Sequence, residues 1–150
     1  MKHIHIYTDG ACRGNPGPGS YAALLRYAHH EKIVSGAEEN TTNNRMELKA
    51  ALEALQTLRE PCDIDLHTDS QYLQKGITLW MMSWKKRGWK NSDNKVIKNV
   101  DLWQLLDTET SKHRIRWHWI KGHSGHTENE LVDQIANQVL DEFLRSSGKK

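Results

Sequence analysis

Two stretches of this 150-residue chain end alike, Tyr7-Thr8-Asp9-Gly10 and His67-Thr68-Asp69-Ser70. Each follows an alternating run, Ile4/Ile6/Thr8 in the first and Ile64/Leu66 in the second, which reads as a strand. Parallel neighbours lie about 4.8 Å apart, so side by side these strands would bring their terminal carboxylates within reach of one ion. Open α/β sheets bind ligands at that carboxyl edge. Taken singly, either Asp serves equally well as a turn cap. Glu47 falls within about 40° of Ala51, Ala54 and Leu58 on a helical wheel, at the head of an apolar stripe. Asp133 falls within about 60° of Ala136, Leu140 and Leu144, with Asn137 in the same sector. A carboxylate on a buried stripe is costly unless it is paired or binds a cation. The plainer reading of Glu47 is an exposed first-turn acid favoured by the helix dipole. Four converging acids raise one another's pKa unless cations neutralise them. All-oxygen ligands suit Mg²⁺, or Mn²⁺, better than zinc. Two such ions about 4 Å apart can clamp the attacking and leaving oxygens of an in-line phosphoryl displacement.

The elements that must position these acids follow from periodicity and breakers. Residues 3–9 form a strand that stops at the Gly- and Pro-dense loop 10–19. Residues 20–28 and 31–37 form a hairpin about His29-His30. Thr41-Thr42-Asn43-Asn44 offers N-caps for a helix to about Arg59, ended by Glu60-Pro61. A strand over 63–68 follows, then helix from Gln71 to about Arg87 in two pieces around Thr78–Met82. Residues 88–98 are polar and irregular. Helix resumes near Val100 with Asp101 in its first turn, a fifth strand spans 114–120, and a last helix runs from Thr127 to about Leu144 behind a Thr127/Glu130 capping box. Residues 145–150 form a frayed tail. A hairpin followed by alternating helices and strands makes a mixed α/β sheet in a single domain, residues 1–144.

Hydrophobic residues at 37% and charged ones at 27% fit a globular chain and exclude collagen-like or membrane classes. No apolar run approaches the roughly 18 residues of a membrane span. Two cysteines, Cys12 and Cys62, make no disulfide framework, which points to a reducing, cytoplasmic setting. The net charge of +2 conceals a segregation: residues 75–98 carry seven basic side chains against Asp93, a net +6, leaving −4 on the remaining 126 residues. Such a segment suits a polyanion, or is simply a solvated basic face. No long apolar stripe is left uncovered, so a monomer is expected.

The motifs, taken together, resemble bacterial type I ribonuclease H. They are Tyr-Thr-Asp-Gly-Ala-Cys-Arg-Gly-Asn-Pro-Gly-Pro-Gly (7–19), Thr-Thr-Asn-Asn-Arg-Met-Glu-Leu (41–48), Thr-Asp-Ser-Gln-Tyr (68–72), Trp-Lys-Lys-Arg-Gly-Trp-Lys (84–90), Ile-Lys-Asn-Val-Asp-Leu-Trp (97–103) and Lys-Gly-His-Ser-Gly-His followed by Glu-Asn-Glu (121–130), in family order from about Ile4 to Leu144. The resemblance implies a five-stranded mixed sheet, three antiparallel strands plus two parallel, flanked by helices. It implies an Mg²⁺-dependent endonuclease that hydrolyses the RNA strand of RNA–DNA hybrids, leaving 5′-phosphate and 3′-hydroxyl ends. Asp9, Glu47, Asp69 and Asp133 would be its metal-binding carboxylates, and His123 would assist proton transfer or product release, which suits a near-neutral imidazole. His126 beside it makes a poor zinc half-site, with no cysteine near in sequence.

The RNA strand is told from DNA by its 2′-hydroxyls in the shallow minor groove. By resemblance Cys12, Asn15, Asn43, Asn44 and Gln71 supply contacts there, while Thr42 belongs to a DNA-phosphate pocket in which Asn40 stands where relatives often have arginine. Asn43 and Asn44 also suit helix caps. Trp80, Lys85, Lys86, Arg87 and Lys90 resemble the family's basic protrusion, here at about 80–98, which would ride on the DNA strand with salt-sensitive, sequence-independent binding. Trp84 is expected to pack that protrusion's own small core, and Trp103, Trp117 and Trp119 to be core or rim. Two other readings are a non-catalytic hybrid-binding module and a nuclease of the same fold that cuts branched DNA. The four acids oppose the first, and the minor-groove set with the protrusion opposes the second.

Overall fold

A computed structural model describes residues 1–121 and 126–148. The elements are β1 (Lys2–Cys12), β2 (Gly17–Tyr27), β3 (His30–Thr41), α1 (Asn43–Gln56), β4 (Cys62–Thr68), α2 (Gln71–Lys75), a wide π turn (Gly76–Trp80), α3 (Met81–Lys86), α4 (Val100–Thr110), β5 (Arg114–Trp119) and α5 (Thr127–Ser146). One sheet has the order β3-β2-β1-β4-β5. β1, β2 and β3 are antiparallel neighbours, and β4 and β5 join parallel to β1. This is the mixed sheet that the resemblance implied.

Alternation on β1 and β4 sends Ile4, Ile6, Ile64 and Leu66 into an apolar cluster with Leu48, Ala51, Leu52 and Leu55 of α1 and Leu102, Trp103 and Leu106 of α4. α5 lies on β1, β2 and β3, burying Val132, Ala136, Leu140 and Leu144, and contributes nothing to that cluster. The sheet is thus the shared wall between two helical layers. No helix among the described residues is long and apolar enough to cross a membrane.

Several boundaries differ from expectation. β1 runs on through the glycine-rich segment to Cys12, because Gly10, Ala11 and Cys12 pair with Tyr21, Ser20 and Gly19. β3 extends to Thr41, its polar Glu38 and Thr41 pairing with Gly19 and Gly17. α1 closes at Gln56, where the Thr57 hydroxyl and backbone N–H both donate to Ala54 O. The expected capping box is absent: Thr127 is the first helical residue, not the cap, and Glu130 N donates to His126 O at 2.9 Å. α5 continues through Arg145 and Ser146, past the point where the tail was expected to begin. The helix after β4 is continuous but widened from Gly76, whose Cα is pressed so closely against Trp103 that a Cβ would stand 2.0 Å from the indole.

Candidate active site

The parallel ladder between β1 and β4 ends at the pair Thr8–Thr68, so Asp9 and Asp69 emerge together just beyond it. The backbone at Asp69 is fixed by its neighbours. Ser70 N donates to Thr68 Oγ1 at 3.0 Å, Ser70 Oγ caps α2 by accepting from Leu73 N, and Trp119 Nε1 donates to Asp69 O at 3.3 Å. Thr42 Oγ1 caps α1 by accepting from Arg45 N, which sets Glu47 past the first turn on the buried side. At 7% exposure Glu47 is no solvent-facing first-turn acid.

Its approach to Asp9 depends on Gly10. A Cβ there would lie 2.7 Å from Glu47 N and 2.8 Å from Met46 C, so only glycine lets β1 and α1 come this close. Carboxylate oxygens of Asp9, Glu47 and Asp69 all lie within 4.8 Å of one another. Asp133, half-buried on α5, lies near enough to Asp9 to raise its carboxyl. Asn137 Nδ2, one turn on, donates to Asp133 O at 2.9 Å and approaches Asp133 Oδ1 at 3.4 Å. Four acids from three layers of the fold thus share one edge of the sheet.

Burial first, then the charges of Asp69 and Asp133, pushes the Asp9 carboxyl up to about 8, against one bond from Gly10 N at 2.9 Å. Burial, then Asp9 and Asp69, drives Glu47 strongly upward as well. Glu47 Oε1 and Asp69 Oδ1 are buried without a hydrogen-bond partner among the described residues. Orphaned carboxylate oxygens are expensive, and a hard divalent cation satisfies them while removing the mutual repulsion. The donor set therefore fits a metal.

The RNase H family model matches residues 1–141. The chain belongs to the ribonuclease H family. It is 59% identical over 140 residues to ribonuclease HI of Vibrio parahaemolyticus, covering 93% of this chain and 91% of that one. It is 55% identical over 146 residues to ribonuclease H of Rhizobium meliloti, with 97% and 95% coverage. The crystal structure of LC9-RNase H1, described as a type 1 RNase H with the type 2 active-site motif, superposes with a TM-score of 0.85 at 31% identity, over 95% of this chain and 74% of that one. Ribonucleases H are metal-dependent endonucleases that hydrolyse the RNA strand of RNA–DNA hybrids.

Around the ribonuclease H carboxylates, Asn15 Oδ1 accepts from Asn43 N at 3.0 Å, tying the loop after β1 to the start of α1. Since Thr42 is the cap, the Asn43 and Asn44 side chains stay exposed, as does Gln71 at the head of α2. Cys12 turns its thiol toward the carbonyls of Gly14, Gly17 and Thr41, and burial pushes that thiol up, so it closes the loop and is no nucleophile. Lys85, Lys86, Arg87 and Lys90 are exposed, Lys85 pairing with Asp107 at 3.1 Å. Trp80 and Trp84 are half-buried, and Trp84 lies 5.3 Å ring to ring from Trp103, a fully buried core residue. The protrusion therefore has no separate core, because the continuous helix carries Trp84 onto the main one. His123 lies outside the described residues.

Sequence reading missed three positioning residues. Arg45 makes a bidentate pair with Asp101 at 3.1 and 2.7 Å and bonds Asn99 Oδ1, locking the start of α1 to that of α4. The Tyr72 hydroxyl accepts from Asn99 Nδ2 and Trp103 Nε1. Trp119 holds the Asp69 carbonyl. Arg45, Asp101 and Tyr72 lie inside the recognisable motifs, but their partners are set by tertiary contact, which spacing does not encode.

Proposed function

We propose that Asp9, Glu47, Asp69 and Asp133 hold one or two Mg²⁺ ions, with Mn²⁺ a workable substitute, and that the chain hydrolyses RNA in RNA–DNA hybrids to 5′-phosphate and 3′-hydroxyl ends. The observation that carries this is the meeting of three carboxylates with two orphaned buried oxygens at the edge of the sheet. A bound cation supplies charge neutralisation at the scissile phosphate and lowers the pKa of an attacking water. The carboxylates give up their protons on binding it, and Asn137 keeps Asp133 turned toward Asp9. Asn15, Asn43, Asn44 and Gln71, with the backbone around Cys12, face the 2′-hydroxyls. Thr42 and neighbouring groups take a DNA phosphate, Asn40 weakening that pocket. Trp80, Lys85, Lys86, Arg87 and Lys90 seat the DNA strand, and His123 moves a proton or releases product. The enzyme acts as a monomer in the cytoplasm.

End-labelled hybrid incubated with and without Mg²⁺, beside single-stranded RNA and duplex DNA, tests the reading. Metal-dependent cutting of the hybrid's RNA strand alone is expected. Asp9→Asn should retain hybrid binding while losing most cleavage, because the basic surface is untouched. Binding without cutting by the unaltered chain, in either metal, would leave a hybrid-binding module instead.

A further inference from the structure

The face of the sheet opposite the main apolar cluster carries a second group of metal-ligating side chains, remote from the carboxylates. His3 and His5 project from β1, Asp65 and His67 from β4, and Arg116 and His118 from β5. The parallel registers set His5 beside Asp65 and Asp65 beside Arg116. A ring nitrogen of His3, a ring nitrogen of His5 and an oxygen of Asp65 all lie within 4.8 Å of one another. Asp65 bridges two imidazoles, His3 Nε2 standing 2.5 Å from Oδ2 and His118 Nε2 2.6 Å from Oδ1. Arg116 donates to the same carboxylate at 2.8 and 3.1 Å, and to Asp63 at 2.9 and 3.1 Å. Arg114, in register with Asp63, balances the second carboxylate, so the corner carries no excess of positive charge. Nδ1 of His5 is buried without a hydrogen-bond partner among the described residues, a costly state for an imidazole nitrogen.

We propose that His3, His5 and Asp65 form a second metal site, for a borderline divalent transition ion such as Zn²⁺ and not for Mg²⁺. Two imidazole nitrogens and one carboxylate are a donor set for Zn²⁺ or Ni²⁺, whereas Mg²⁺ prefers oxygen and water. Bonds of about 2.0–2.1 Å in a tetrahedral arrangement hold ligand atoms about 3.4 Å apart. His3 must then back away from Asp65 by roughly 0.9 Å, and its side chain, 48% exposed near the end of β1, has the room. The ion takes the place of the proton between His3 and Asp65. Arg116 and His118 stay on the carboxylate as outer donors that orient it. Asp9 lies four residues along the strand from His5, about 13 Å, so this ion ties β1 to β4 without touching the carboxylate centre.

Calorimetric titration of Zn²⁺ into the full chain, with millimolar Mg²⁺ present throughout, tests this. One Zn²⁺ equivalent is expected to bind in the micromolar range. His3→Gln and His5→Gln should each weaken it by roughly tenfold or more, the double variant should abolish it, and Asp9→Asn should bind as the parent does. Both histidine variants should keep Mg²⁺-dependent hybrid cleavage, which shows that they fold. Zn²⁺ affinity unchanged in the double histidine variant, lost in Asp9→Asn, or absent from the parent chain would overturn the assignment.

Discussion

Gly10→Ala isolates the geometric requirement of the acidic edge, because it changes no charge and removes no ligand. The backbone at Gly10 is not left-handed, so alanine is conformationally allowed and only space is at issue. The added Cβ would stand 2.7 Å from Glu47 N, 2.8 Å from Met46 C and 2.9 Å from Met46 Cβ, against ordinary contacts of 3.4–4 Å. Two of these three neighbours are backbone, so α1 must retreat from β1 by at least about 0.7 Å, carrying Glu47 away from Asp9. If the unfolded chain alone mattered, the substitution would stabilise by about 0.4–1 kcal/mol. Overpacking costs about 1–3 kcal/mol and wins, leaving a net loss of about 1–2 kcal/mol. A displacement approaching 1 Å at a catalytic group costs on the order of a hundredfold in rate. Single-turnover hybrid cleavage at saturating Mg²⁺, hybrid affinity and the urea midpoint would be measured together. The expected pattern is cleavage down about a hundredfold, a lower midpoint and hybrid affinity little changed. A Gly10→Ala chain that cleaves and unfolds like the parent would refute the claim that this close approach positions Glu47.

Replacing Lys85, Lys86 and Arg87 together by alanine should weaken hybrid binding and flatten its dependence on salt, each lost phosphate contact lowering the log–log slope by about 0.7–0.9; an unchanged slope removes the protrusion from the interface. Lys85 should contribute least, being paired with Asp107. At pH 7 in metal-free protein the Asp9 carboxyl, raised to about 8, carries a proton. With Glu47 driven upward beside it, Mg²⁺ binding should therefore release at least one proton, read by calorimetry in two buffers of different ionisation heat, and equal heats would contradict it. Burial, with His118 and His5 nearby, holds His67 down at about 4. An unfolded chain takes up that proton from about pH 6.5 downward while the folded one resists until about 4, so stability present above 6.5 is lost across this window. After discounting for partial exposure the loss is about 1 kcal/mol. His67→Gln should flatten the urea midpoint between those pH values, and an identical pH profile would count against the assignment.

The acids were legible because two periodicities exposed them. Asp9 and Asp69 end strands whose alternation is clean, and Glu47 interrupts an apolar stripe that has no other reason to hold a charge. Asp133 was less distinct because Asn137 shares its sector, and the structure makes that asparagine its orienting partner. What stayed hidden depended on pairing across the chain. Gly10 to Cys12 have the composition of a loop, yet β2 supplies their partners and keeps them in the sheet. Thr127 and Glu130 have the spacing of a capping box, but the helix starts one residue early and uses His126 O. Gly76 gives no local hint that an indole 27 residues later will press on it and widen the helix.

Because α5 lies outside the main apolar cluster, the role proposed for Asp133 would give catalytic competence and foldedness separate thresholds. Local opening that detaches α5 would remove Asp133 while leaving Asp9, Glu47 and Asp69 in place, anchored by the cluster on the other side of the sheet. Such sub-global openings require less free energy than complete unfolding. On mild heating or in dilute denaturant, activity would then fade while the amides of β1 and β4 remain protected, so that the enzyme reports the fraying of one helix before it reports its own denaturation.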